Sequence, residues 1–281
     1  MSQSRAHTTT EEPRRTRDRQ STVSAPARAP SHRLHRPHDG TLIRCACGED
    51  DAPLGPEGLA LLTRQMREAL RRRDYPCVAA QQSFFREDYS VGIYDGFGQG
   101  ACWRELRADL LSFLDDQRRT GSTLSTMWAV FPDAAERSED RFEDDLWREL
   151  SFLSSVETRA EDWGDDERSD PTRQDFALRL GGHSLFVVGL HPQSSRKARR
   201  FPFTALVVNS FDQFAKLAAE GRYVPMVETN RARDRAFQGD VNPMALEHGE
   251  KWESIQFSGK SNRADWKCPF RFMTDAEKAS R

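Results

Sequence analysis

The chain has 281 residues, 37% hydrophobic and 31% charged, which is enough for one large core. A formal net charge of −2 excludes a nucleic-acid partner held by a general positive field, and five cysteines, an odd number in a long chain, exclude a disulfide scaffold and suit a reducing compartment. No apolar stretch is long enough to cross a membrane and the N-terminus has no signal-like apolar core, so a cytoplasmic protein without membrane contact is expected.

The first fifty residues hold almost no apolar pattern. Arg14, Arg15, Arg17 and Arg19 alternate with polar residues and Ala-Pro repeats follow, which predicts a disordered basic arm over residues 1–50 and a single globular domain over 51–281. Cys45 and Cys47 form a CxC pair without a second pair nearby, so no structural zinc is expected there. Leu59, Leu62, Met66, Ala69 and Leu70 then fall on one helical face behind Pro56. Pro76 stops that helix and starts a loop or short extended piece. Tyr89, Val91 and Ile93 alternate as a strand ahead of a Gly-rich turn. Trp103, Leu106, Leu110, Phe113 and Leu114 mark a second helix, and residues 126–131 a short apolar strand closed by Pro132.

Residues 133–171 carry fifteen acidic side chains against five basic ones, so the remainder is net basic, with Arg196, Lys197, Arg199 and Arg200 as its densest cluster. Phe142, Leu146, Leu150 and Leu153 lie at helical spacing, and the polar run 161–173 is expected to be an acidic surface loop. Residues 185–190 are apolar on both faces, which predicts a central strand, and residues 203–208 form another. Between them runs a basic loop that opens with His191. Ser210 with Gln213 has the spacing of a capping box for a helix facing inward with Phe211, Phe214 and Leu217, and Gly221 is its terminator. A short helix over 228–237 follows. The expected fold is α+β (or α/β), a single domain with a mixed β-sheet layered with helices.

Chemistry concentrates in the basic loop and the C-terminal third. His191 ends a buried strand, where sheet proteins expose ligand-binding groups, and as a neutral imidazole it could ligate haem iron; a satisfied histidine at a turn is the plainer alternative. Ser194, Ser195, Arg196 and the neighbouring basic residues could hold carboxylates or propionates through paired donors, or simply face solvent. Cys77 and Cys268 lie outside regular elements, as thiolate ligands, nucleophiles or buried thiols. A cationic guanidinium would need carboxylates, for which Glu228, Asp234, Asp240 and Glu250 are available and unranked. GIYDGFGQG matches neither nucleotide-loop pattern and is better explained as a turn, and no GxSxG is present.

The series YPCVAA, GIYDGFG, FVVGLHPQSSRKARRFPFTALVVN, FDQF with GRY, RARDRAFQGDVNPM and FSGKSNRADWKCPF, spanning about residues 70 to 271, resembles the YqcI/YcgG family. That family includes haem-dependent N-hydroxylases of guanidino compounds, such as the arginine N-hydroxylases of D-cycloserine and related antibiotic pathways and the enzyme of guanitoxin assembly. The resemblance implies a haem b held non-covalently, as the lack of CxxCH also suggests, with O₂ as co-substrate and electrons from a separate reductase or ferredoxin, or from peroxide. It implies hydroxylation of a terminal guanidino nitrogen of L-arginine to Nω-hydroxy-L-arginine. His191 would be the proximal iron ligand and Cys268 the runner-up; Ser195, Arg196 and Arg200 would hold haem propionates or the substrate carboxylate, and Glu228 or Asp234 the guanidinium. Three alternatives stand beside this: another guanidino or amino substrate, a haem sensor or carrier without turnover, and a scaffold whose basic loop docks an acidic partner. A homodimer is compatible with any of them.

Overall fold

Met127, Ala129 and Phe131 alternate with Trp128 and Val130 along one strand, and the two sets enter two different cores. A sheet buried on both faces must be covered on both, and that requirement sets the layers of the protein. The computed structural model describes residues 33–44, 54–134, 136–154, 170–173, 176–244, 253–263, 265–274 and 277. Its strands are β1 (Leu34–His38), β2 (Thr41–Arg44), β3 (Tyr89–Ile93), β4 (Thr126–Phe131), β5 (Leu178–Leu180), β6 (His183–Leu190) and β7 (Thr204–Ser210). They form one sheet in the order β2-β1-β3-β4-β7-β6-β5, in which β3 and β4 run parallel and every other pair antiparallel.

On the first face lie α3 (Trp103–Thr120) and α4 (Glu139–Leu153), which bury Leu106, Leu110, Phe142, Leu146 and Leu150 against Met127, Val187 and Leu206. The second face takes α1 (Pro56–Leu70), whose Leu62, Met66 and Leu70 meet Val91, Trp128 and Val207. The remaining helices are α2 (Val78–Phe85), α5 (Phe211–Ala219) and α6 (Tyr223–Gln238). The mixed sheet layered with helices is thus the expected α+β arrangement. No described helix is long and apolar enough to cross a membrane.

Four expectations need correction. The sheet begins inside the segment assigned to the basic arm: β1 and β2 form a hairpin closed by Asp39 and Gly40, both at positive φ (49° and 76°), and Leu34 and His35 register with Gly92 and Val91 of β3. Asp-Gly is the residue pair such a turn selects, but His35, Arg36 and Pro37 inside β1 hide the strand pattern. The piece after Pro76 is a helix, α2, because its N-terminus is capped from far away in sequence. β6 is second from the sheet edge, while β4 and β7, buried at every position, are the inner strands. The Ser210–Gln213 box is not reciprocal: Ser210 accepts from the Asp212 N–H, whereas the Gln213 side chain bonds Asn209 and Gln117. Cys45, Cys47, His248, Glu250 and most of the run 161–173 lie outside the described residues.

The Gly-rich turn is structural. Gly96, Gly98 and Gly100 all have positive φ, and a Cβ on Gly98 would sit 2.6 Å from Cβ of Asp145. Asp145 is buried and gathers Arg137, Arg141 and Arg148, while Glu149 accepts from the Gly98 N–H at 2.9 Å. On β6, a Cβ at Gly189 would meet the Phe142 ring at 2.7 Å and the Phe257 carbonyl at 2.8 Å. Gly189→Ala is therefore expected to cost about 1–3 kcal/mol through overpacking, measured as a lower urea midpoint.

Candidate functional site

α6 does not seal against the sheet. Only Asp234 of its sixteen residues is buried, so the helix bridges rather than packs. Beneath it is a cavity of about 270 Å³, near the small end of ligand pockets, which run to about 300–1,000 Å³. Its floor is the second face of the sheet, with Trp128, Val188, Leu190 and Val207, and its roof is α6, with Met226, Asn230, Arg231 and Asp234. Tyr75, Cys77, Arg196, Arg199 and Asn242 complete the wall.

Polar ties fasten the roof. Asn230 Oδ1 accepts from the Val78 N–H at 2.9 Å, capping α2, and Arg233 donates to the Tyr75 carbonyl and to Gln81 Oε1 at 3.3 and 2.7 Å. From the basic loop, Arg196 Nη2 donates to Asp234 Oδ2 at 2.7 Å and its Nη1 pairs with Asp240. The Asn242 N–H reaches the same Asp234 oxygen at 2.7 Å, so Oδ1 has no partner among the described residues. Lys197 N–H donates to Gln238 Oε1 at 2.8 Å.

Arg199 is placed differently from the other arginines of the loop. Its guanidinium donates to three carbonyls, Gly189 (3.2 Å), Phe257 (3.5 Å) and Gln256 (3.1 Å), and no described carboxylate pairs with it. Burial lowers its pKa and raises those of Tyr75 and the Cys77 thiol. Cys77 Sγ accepts from the Ala80 N–H at 3.4 Å at the start of α2.

The structure thus brings Arg196 and Asp234 together in the cavity wall, but bonded to each other. The other expected site residues lie elsewhere. Ser195 is exposed and bonds Glu139 Oε1 through both N–H and Oγ, at 2.8 and 2.9 Å. Arg200 is exposed and donates to the Ser194 carbonyl at 2.6 Å. Glu228 is exposed and outside the cavity lining. Cys268 packs partly buried against the first core, where burial pushes its thiol up to about 12. His191 follows Leu185, Val187 and Gly189 onto the first face; it is 2% exposed, its ring stacks 4.2 Å from that of Phe142, and neither ring nitrogen has a hydrogen-bond partner among the described residues. Burial pulls its pKa down to about 4. Arg199, expected only as one of the basic residues of the loop, lines the cavity, and so does Asn230, for which the sequence assigns no role.

A family model described as the YqcI/YcgG family matches residues 66–271. The chain belongs to the YqcI/YcgG family. No curated protein and no solved structure matches it. The YqcI/YcgG segment runs from α1 through both sides of the cavity, and its motifs converge there: HPQSSRKARRFPF supplies Arg196 and Arg199, and RARDRAFQGDVNP supplies Arg231, Asp234 and Asn242. FSGKSN has a holding role instead, since Ser258, Lys260 and Asn262 all bond Glu143 of α4.

Among the described residues no group of three or more His, Cys, Asp or Glu could hold a metal ion, but a haem needs only one or two axial ligands. The cavity offers a haem an apolar floor for the macrocycle and the thiol of Cys77 as the side chain that would hold its iron. The present volume is that of an amino-acid-sized guest. Holding a porphyrin as well takes more room than the cavity has between α6 and the sheet.

Proposed function

We propose that this YqcI/YcgG protein is a haem-dependent N-hydroxylase of a guanidino compound, with L-arginine as the first substrate to test, working in the cavity under α6. The observation that supports it is the meeting of opposite charges on an apolar floor: an unengaged carboxylate oxygen, Asp234 Oδ1, and a guanidinium bonded only to carbonyls, Arg199. Haem, when bound, would supply the activation of O₂, one oxygen atom being added to a guanidino nitrogen while the other leaves as water with two electrons from an external donor and two protons.

The residues of the chain bind, orient and exclude water. Asp234 Oδ1 accepts an N–H from the substrate guanidinium, while Oδ2 stays committed to Arg196 and Asn242, so the carboxylate cannot rotate away. Trp128, Val188, Leu190 and Val207 keep the floor dry and strengthen that contact. Cys77 is the residue of this wall that would hold the iron, in preference to His191 and Cys268, which do not border the cavity.

Two measurements test this. Purified protein supplied with haemin should acquire a Soret band, and L-arginine with reductant and O₂ should yield a product heavier by one oxygen atom. Protein that stays colourless would sink the haem reading; coloured protein that converts none of a panel of guanidines would leave a sensor or carrier. The reduced CO spectrum should be of thiolate type and lose that character in Cys77→Ala but not in His191→Ala.

A further inference from the structure

We propose that Arg199 is the anchor for the carboxylate of the substrate, so that the cavity selects guanidino compounds bearing a carboxylate over those without one. This rests on the reading that a guanidino compound occupies the cavity.

The other cations of the basic loop are committed. Arg196 is neutralised by Asp234 and Asp240, and Arg200 lies at the surface on the Ser194 carbonyl. Arg199 alone among them enters the cavity wall with its guanidinium hydrogen-bonded only to neutral carbonyls. Three of its five N–H groups are used in those bonds, which leaves two, the number a carboxylate takes side-on. Arg199 is half-buried, and the nearby Asp234 carboxylate that favours its charge is itself bonded to Arg196, so an incoming carboxylate would give this cation its first direct ion pair.

The group is also held in advance. The side-chain stem runs over Gly259, where φ is +78° and an added Cβ would lie 2.9 Å from Arg199 Cγ. The carbonyls of Gly189, Gln256 and Phe257 fix the fork beyond it. Little ordering remains to be done when the ligand arrives. Gly259 is thus a positioning residue for Arg199.

The test is calorimetric titration of the full chain with L-arginine and with agmatine, its decarboxylated counterpart. The wild type should bind L-arginine at least about tenfold more tightly, the effect of a hydrogen bond to a charged group. Arg199→Gln should abolish the preference while leaving agmatine binding nearly unchanged, Gly259→Ala should reduce it, and Arg200→Gln should retain it. If Arg199→Gln does not fold, wild-type protein with L-argininamide, neutral at that end, carries the test and should behave as agmatine does. Equal affinity of the wild type for the three compounds overturns the carboxylate anchor alone. Binding of none of them overturns the guanidino reading, and the anchor with it.

Discussion

Replacing Arg196 by methionine is expected to lower stability by about 3–5 kcal/mol, read as a reduced urea midpoint at unchanged slope. The side chains of Arg196 and Asp234 are 6% and 12% exposed and meet at 2.7 Å. Removing the cation strands a carboxylate in a wall that offers it only the Asn242 N–H. Asp240, the second partner of Arg196, is 67% exposed, so Asp240→Asn should cost less than about 1 kcal/mol. Methionine at 196 combined with leucine at 234 should recover much of the loss, because no uncompensated charge then remains buried. A large effect of Asp240→Asn beside a small one of Arg196→Met would contradict this ordering.

The second large effect is one of pH. His191 is buried without a hydrogen bond to either ring nitrogen, and burial outweighs the nearby Glu139 carboxylate, so its pKa lies near 4 against 6.5 for the free side chain. Below pH 6.5 the unfolded chain takes up a proton that the folded chain refuses until about pH 4, so stability falls as pH falls through this window. The expected loss is on the order of 3 kcal/mol. His183, whose pKa is also lowered by burial, adds in the same direction. Glu277, held down to about 2 by Arg271, contributes only at lower pH, where its salt bridge is protonated away. Urea titrations at pH 7 and 4.5 should therefore differ strongly in the wild type and much less in His191→Phe, which keeps an aromatic ring on Phe142. An unchanged pH slope in His191→Phe would show that another group controls it.

The elements most legible in the sequence were those whose own side chains bury. Leu62, Met66 and Leu70 declare α1, and Phe142, Leu146 and Leu150 declare α4, because the spacing that makes the pattern also makes the core. α2 was hidden because VAAQQSFF carries no clear apolar face and depends on Asn230, 152 residues away, for its cap. β1 and β2 were hidden because their neighbours, not their composition, make them strands. The site divides in the same way. The basic cluster was plain, but nothing local distinguishes Arg196, whose charge is spent on Asp234, from Arg199, whose charge is not. That distinction depends on which chain segments arrive from residues 234–242 and 256–259. Likewise, the alternation of β6 that sends Val188 and Leu190 to the cavity sends His191 to the opposite face.

The basic loop and the last turns of α6 are stitched at five points: Arg196 to Asp234 and Asp240, Lys197 to Gln238 and Phe237, and Gln238 back to Ser195. In inheritance and in engineering alike, the two stretches therefore form one transferable module. Grafting a relative's loop onto this chain without its matching 234–242 segment would leave arginines and aspartates mismatched across the roof, whereas exchanging both together would carry a new binding chamber onto an unchanged sheet.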